Sequence, residues 1–180
     1  MPVRKIIGSA VTGAILIVAV GAATAATKTV SMNAITASGV GSEIGTITFR
    51  DTNQGLMVEP KLSSLPPGQH GFHVHENGNC GPGPGANGQP AAGMAAGGHY
   101  DPAGAKAHRG PHEKNSHLGD LPVLVVDKDG SATLPVLAPR LKVNDLAGRA
   151  VMIHAGGDNY DDSPAPLGGG GGRIACGVVK

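Results

Sequence analysis

The chain has 180 residues, with 30 Gly and 14 Pro but only two Tyr, two Phe and no Trp, and a formal net charge of +1. That length supports one domain with a substantial core, and the composition, rich in turn-formers and poor in large apolar residues, suits many short strands joined by loops rather than long amphipathic helices. The near-neutral balance excludes a basic nucleic-acid surface or a polybasic membrane surface as the basis of function.

Residues 1–26 read as a secretory signal peptide, leaving 27–180 as the exported domain. Arg4 and Lys5 form a basic start, Ile6 to Val20 carry no charge, and Ala23-Thr24-Ala25 supplies a cleavage motif. An uncleaved membrane anchor is the alternative, since the uncharged run is close to the shortest that can span. Small residues follow that run, however, and no basic stop-transfer cluster does. Cleavage implies a periplasmic or secreted protein with no membrane attachment. It also takes Lys plus Arg from 14 to 12 against 13 Asp plus Glu, a net charge of about −1. Cys80 and Cys176 are the only cysteines, and export puts them where disulfides form and persist. One bridge would close a loop of roughly a hundred residues and contribute about 4 to 5 kcal/mol in the chain-entropy model. Two separate buried thiols are the other reading.

From Lys28 to Leu62 the pattern is that of strands. Val30, Met32 and Ala34 alternate with polar neighbours, Ile44 to Phe49 and Leu56 to Leu62 continue the theme, and 51–55 forms a hairpin loop. Pro60 marks an edge strand or a bulge, and Pro66-Pro67-Gly68 a turn before a strand from His70 to Glu76. Between Gly78 and Asp120 no apolar periodicity survives. A loop of that length inside a compact domain is functional or disordered, and its histidines favour function. Its Gly81 to Pro90 part, uncharged and rich in Gly and Pro, carries no expectation of contacts. Strands resume at Leu121 to Val126, Ala132 to Leu137, Arg149 to His154 and Arg173 to Val179, with a second Gly/Pro-rich loop over 155–172. Gly168 to Gly172 lack the Gly-Lys-Ser/Thr of a phosphate loop and read as a mobile connection giving Arg173 freedom of placement. Asp127-Lys128-Asp129-Gly130 lacks the bidentate Glu of a calcium loop and reads as a turn.

Histidine carries the chemistry. On a strand His73 and His75 share one face about 6 to 7 Å apart and can reach one metal, while Phe72 and Val74 point into a core. His70 has the opposite parity and reads as structural. His99, His108, His117 and Asp120 offer three imidazoles and a carboxylate, a set suited to zinc. His154 adds an imidazole at a strand end, and His112, behind Pro111, reads as a surface residue.

Taken together, His70-Gly71-Phe72-His73-Val74-His75-Glu76, Gly98-His99-Tyr100-Asp101-Pro102, His117-Leu118-Gly119-Asp120-Leu121-Pro122 and Gly172-Arg173-Ile174-Ala175-Cys176-Gly177 resemble the motifs of copper/zinc superoxide dismutases. Met152 to Tyr160 is similar to the bacterial secreted branch, and the resemblance covers nearly the whole exported chain. It implies an all-β fold, an antiparallel Greek-key barrel or sandwich of about eight strands with two long functional loops. It implies copper at His73, His75, His99 and His154, and zinc at His99, His108, His117 and Asp120, with His99 bridging the two ions. It gives Asp158 the role of linking His73 to His108, pairs Cys80 with Cys176, and sets Arg173 beside the copper as a guide for anionic superoxide. The implied reaction disproportionates superoxide to dioxygen and hydrogen peroxide at a copper ion that is reduced and reoxidised in turn, with His99 supplying a proton.

The sequence departs from the animal cytosolic branch in lacking a run of charges in 155–172, which leaves Lys106 and Lys114 as candidates for steering. Two rivals remain at this point: a non-catalytic copper-binding or metal-buffering protein on the same barrel, and a zinc hydrolase. The latter needs an open zinc position that the four-residue set does not leave. A monomer and a homodimer are equally compatible with the resemblance.

Overall fold

The computed structural model describes residues 1–2 and 25–180, so the expected signal segment lies almost wholly outside the described residues. Among the described residues no helix is long and apolar enough to cross a membrane. The described residues hold eleven strands, in chain order β1 Thr27–Thr36, β2 Gly39–Thr52, β3 Gly55–Leu62, β4 Gly68–His70, β5 Phe72–His75, β6 Gly83–Pro84, β7 Pro90–Ala91, β8 Leu124–Val126, β9 Val136–Ala138, β10 Arg149–His154 and β11 Arg173–Val179. Both β10 and β11 fall where the alternation of the sequence puts them.

Seven strands form one antiparallel sheet in the order β5-β10-β11-β1-β2-β3-β9. The sheet curls, and β8, which leads into β9, pairs with β4, which leads into β5, so the short β4-β8 ladder bridges the two edges. After β3 the chain crosses to the far edge, and after β9 it crosses back to enter between β5 and β11, which is Greek-key connectivity. With β6 and β7 set aside as a small hairpin inside a loop, and β4 with β5 taken as one expected strand, the barrel has the eight strands anticipated. Inside it Met32, Ile47, Phe49, Leu56, Phe72, Leu121, Leu124 and Ile153 form a dry core.

Several boundaries differ from expectation. The strand expected over His70 to Glu76 breaks at Gly71, because the chain there leaves one ladder for another. Gly71 N donates to Gly156 O and its own carbonyl accepts from His154 N, both at 2.8 Å. In β1 the inward alternation Val30, Met32, Ala34 holds, all three packing on the barrel core, while Ile35 is buried on the opposite face with Met152 and the Cys80–Cys176 bridge; the register shifts around Asn33 put their extra residues in β2. The same irregularity explains Gly45, at φ 129°, where β2 approaches β3 so closely that a Cβ would lie 3.1 Å from the Cα of Leu62. The strand expected at Leu121 begins at Leu124, and that expected over 132–137 shortens to β9, with Ala132 making only an isolated bridge to Leu62. Gly81 to Pro90 turns back on itself through β6 and β7. Pro60 fits its edge position, because β9 covers β3 only from Leu56 to Val58.

Cys80, in the loop after β5, is bonded to Cys176 on β11, with 96 residues of separation and Cα atoms 5.7 Å apart. The bridge ties the first long loop to the centre of the sheet. A Cys80→Ser/Cys176→Ser double variant is expected to lose roughly 2–5 kcal/mol of unfolding free energy, measured by denaturant titration of the metal-free protein. An unchanged midpoint and slope would show that the loop is held by its other contacts.

Candidate metal centre

The site is built on the free edge of β5. One side of this strand pairs with β10, and the other takes backbone hydrogen bonds from the long loop instead of a strand. Tyr100 N donates to Val74 O and Val74 N to Gly119 O, each at 2.8 Å, while Glu76 N reaches Gly98 O at 3.1 Å and Leu121 N reaches Phe72 O at 3.2 Å. These bonds set His99 opposite His75 and Asp120 opposite His73. An unpatterned loop is thereby held in strand-like register at the two places where it supplies side chains to the site. His73 and His75 share a face as their parity requires, with ring centroids 6.4 Å apart, and His154 enters from the end of β10.

Two groups of side chains result. His73, His75, His99 and His154 are all buried, and one ligand atom from each lies within 4.8 Å of the others. His73 Nδ1 and the Nε2 atoms of His75, His99 and His154 are buried without any hydrogen-bond partner. The opposite nitrogens are occupied: His73 Nε2 meets Asp158 Oδ2 at 2.8 Å, His75 Nδ1 donates to Gly97 O at 3.0 Å and His154 Nδ1 to Gly171 O at 3.2 Å. Burial lowers the pKa of His73, His75 and His99 and brings that of His154 down to about 4. Neutral imidazoles with one unpartnered nitrogen each are ready-made metal ligands.

In the second group three imidazole nitrogens surround one carboxylate oxygen. Asp120 Oδ1 lies 3.1 Å from His99 Nδ1, 3.0 Å from His108 Nδ1 and 3.5 Å from His117 Nδ1. A tetrahedron with arms of about 2.0 Å has edges of about 3.3 Å, so the spacing fits zinc. His99 turns Nδ1 to this group and Nε2 to the first, joining them. Proximity alone also gathers His73 with His99, His108 and Asp120. The ring of His73 settles its own membership: Nε2 is held by Asp158, and its unpartnered Nδ1 belongs with the other orphaned nitrogens of the first group.

Asp158 joins the groups from behind, its two oxygens at 2.8 Å from His73 Nε2 and His108 Nε2. Burial of Asp158 opposes its ionisation, but the two ring N–H groups and the Tyr160 amide hold it well below the usual carboxylate range. Burial likewise opposes a charge on His108, yet its position between Asp120 and Asp158 raises its pKa to about 9. The glycine run packs against this assembly. Gly168, at φ 72°, leaves no room for a Cβ, which would collide with the Asp158 carboxylate and lie 2.8 Å from His108 Nε2, and a Cβ at Gly170 would stand 3.1 Å from that of His154. Within the run read from sequence as a mobile connection, Gly168 and Gly170 are therefore a close-packed backbone cover, glycine because side chains do not fit, while Gly169, Gly171 and Gly172 are exposed.

Arg173 is half-buried at the start of β11. Its Nη1 donates to Gly93 O at 2.6 Å and its Nη2 to Gly97 O at 2.8 Å, the same carbonyl that accepts from His75. The remaining N–H groups stay available beside the first group, whose His75 and His154 feel the positive charge.

The family model described as copper/zinc superoxide dismutase (SODC) matches residues 43–179. The chain belongs to the copper/zinc superoxide dismutase family. It is 53% identical over 167 residues to superoxide dismutase [Cu-Zn] 2 of Salmonella typhimurium, covering 92% of this chain and 95% of that one. The solved copper/zinc superoxide dismutase of Brucella abortus is similar at a TM-score of 0.83 and 45% identity, covering 86% of this chain and 100% of its own. The structure described as the monomeric enzyme of Salmonella enterica is similar at 0.76 and 56%, over the same shares.

Within this family frame, the structure brings together His73, His75, His99, His108, His117, Asp120, His154, Asp158 and Arg173. It leaves His112, Lys106 and Lys114 exposed on the loop and outside both groups. His70 is structural, as its parity implies, with Nδ1 2.7 Å from His154 O and Nε2 2.7 Å from Pro66 O. Sequence reasoning misses Gly97, Ser116, Arg140 and Asp162, which act on the site through main-chain atoms or through other side chains. Gly168→Ala is expected to displace Asp158 and weaken metal binding at both groups by about 10- to 100-fold, the usual cost of disturbing such outer contacts, read by elemental analysis after dialysis. Full metal content in that variant would show that the cover is not needed to hold Asp158.

Proposed function

We propose that His73, His75, His99 and His154 hold copper, that His99, His108, His117 and Asp120 hold zinc, and that the chain works as a superoxide dismutase. The observation that carries this reading is the set of four buried, unpartnered imidazole nitrogens facing one another beside a fixed guanidinium. Nitrogen-only donors suit copper, and a closed set of three imidazoles and a carboxylate suits structural zinc. When bound, copper supplies redox chemistry between Cu(II) and Cu(I), oxidising one superoxide to dioxygen and reducing a second, with two protons, to hydrogen peroxide.

The chain's own residues do the rest. Arg173 presents a fixed positive charge to an entering anion and orients it with its free N–H groups. His99 Nε2 is the atom placed to hold a proton for the reduced product, while its Nδ1 stays directed at Asp120. Asp158 fixes the rings of His73 and His108 at once, and Gly97 fixes His75 and Arg173 at once. A metal buffer has no use for a guanidinium held by two carbonyls, and a zinc hydrolase needs a zinc position left open, so both rivals fit the geometry less well.

The working domain in this reading is 27–180, released from 1–26 on export to the periplasm or beyond. The start of β1 at Thr27 and the Cys80–Cys176 bridge support that placement. All ligands come from one chain, so the reaction needs no second copy, and a homodimer would serve some other purpose.

Two measurements test the proposal. His75→Ala is expected to lose copper and nearly all dismutase activity while zinc content stays close to one per chain; full activity in that variant would refute the copper assignment. Arg173→Ala should lower the rate several-fold with copper intact, and Arg173→Glu should lower it further. Part of the loss should shrink as salt rises, because a Debye length of about 8 to 10 Å near physiological ionic strength screens long-range attraction. Wild-type rates for both variants at low salt would remove Arg173 from the mechanism.

A further inference from the structure

The second group sits in a stretch, Gly98 to Val123, that contains no helix or strand. Its two ends are held by backbone bonds to β5, but the middle, residues 107–117, lies beyond that reach. His117 is the member most in need of support. The rings of His73, His75, His108 and His154 are each oriented by a hydrogen bond on the nitrogen turned away from the neighbouring donors. Among the described residues the ring of His117 has no such bond, so its orientation rests on its main chain.

That main chain is gripped by Arg140. Arg140 Nε donates to Pro111 O at 2.9 Å, Nη1 to Ser116 O at 3.2 Å, and Nη2 to His117 O and to Gly110 O, the latter at 3.4 Å. Four carbonyls spanning eight residues of loop converge on one planar cation, a geometry that a guanidinium satisfies and an ammonium does not. The anchor is itself fixed to the barrel. Ala138 ends β9, Leu141 is in the core, and Pro139 packs on the β2–β3 turn so closely that a Cβ on Gly55 would lie 2.5 Å from its Cα. The side chain of Ser116 completes the arrangement. Buried, it donates from Oγ to Asp120 Oδ2 at 2.6 Å and accepts from Arg109 N at 2.7 Å, leaving Asp120 Oδ1 to face the three Nδ1 atoms.

We infer that Arg140 and Ser116 are positioning residues for zinc: Arg140 sets the main chain that aims His117, and Ser116 turns the Asp120 carboxylate so that one oxygen serves the metal. The inference rests on the reading of the second group as the zinc end. It ascribes to these residues an effect on zinc affinity and coordination geometry rather than on stability alone.

The test uses the metal-free protein, zinc competition against a chromophoric chelator, and the visible spectrum of cobalt(II) bound in place of zinc. Arg140→Gln should weaken zinc binding about 10- to 100-fold and reduce the intense absorption of tetrahedral cobalt, with copper affinity at the first group changed far less. Arg140→Lys should fail to restore either. Ser116→Ala, which removes only a hydroxyl and is expected to fold, should weaken zinc several-fold, and it decides the matter if Arg140→Gln does not unfold cooperatively. Zinc affinity within twofold of wild type and an unchanged cobalt spectrum in the folded variants would overturn the inference, even with a lowered unfolding midpoint. Asp120→Ala separates the two levels: if it binds zinc as tightly as wild type, the zinc reading itself fails, whatever Arg140 and Ser116 do.

Discussion

Crowding imidazoles in a dry interior is the constraint on which the structure turns. Six rings sit within a few ångströms of one another, and five of their nitrogens are buried with no hydrogen-bond partner. A buried polar atom left without a partner costs about 1–3 kcal/mol, so folding alone would drive these nitrogens apart or toward water. The protein resists by committing the other nitrogen of every ring but that of His117 to a fixed acceptor. Asp158, Gly97 and Gly171 hold His73, His75 and His154, Asp120 holds His99, and Asp120 and Asp158 hold His108. Rings fixed in this way present unpartnered lone pairs at a common point, and the free energy withheld in folding returns when metal binds.

The barrel makes that arrangement possible because β5 lies at an edge. A central strand would have both ladders filled by other strands. Here one ladder is open, and the loop fills it with residues 98–100 and 119–121 in register. Phe72 and Val74 meanwhile commit the opposite face to the core, so β5 cannot slip without exposing them. Rigidity on one face and chemistry on the other follow from the two-residue period of a strand.

That period is also why part of the site is legible in the amino-acid sequence. The parity of His73 and His75, the contrary parity of His70, and β10 with its terminal His154 all follow from alternation. The loop residues His99, His108, His117 and Asp120 can be proposed as a chemical set, but their grouping comes from resemblance, because no periodicity governs an unpatterned loop. Contacts made by carbonyls leave no trace in the sequence at all. Gly97, which serves His75 and Arg173, and residues 110–117, which serve Arg140, act through atoms every residue possesses. The glycine run illustrates the same blindness: composition suggests freedom, whereas Gly168 and Gly170 are glycine because His108, Asp158 and His154 leave no space. The burial of Ile35 on the outer face of β1, against Ala96, Met152 and the disulfide, comes from the loop that covers it and has no local signal.

The two ends of the centre differ in charge, and the difference suits their division of labour. Asp120 lies among the nitrogens of the second group, so its negative charge would offset that of a dication held there. No carboxylate stands among the unpartnered nitrogens of the first group; Asp158 and Asp120 touch its rings only on the nitrogens turned away, and the positive charge of Arg173 acts on His75 and His154. In the proposed reading an anion is therefore drawn to the first group and not the second. With a near-neutral chain and screening within about 8 to 10 Å, the attraction proposed for Arg173 has to be local, and it depends on where Arg173 is held. The guanidinium is carried by β11, while the carbonyls that fix it, Gly93 and Gly97, belong to the loop after β5. The Cys80–Cys176 bond joins that same loop to that same strand. The disulfide thus keeps the charge and its carbonyl partners in register, which links the covalent framework of the barrel to the approach of substrate.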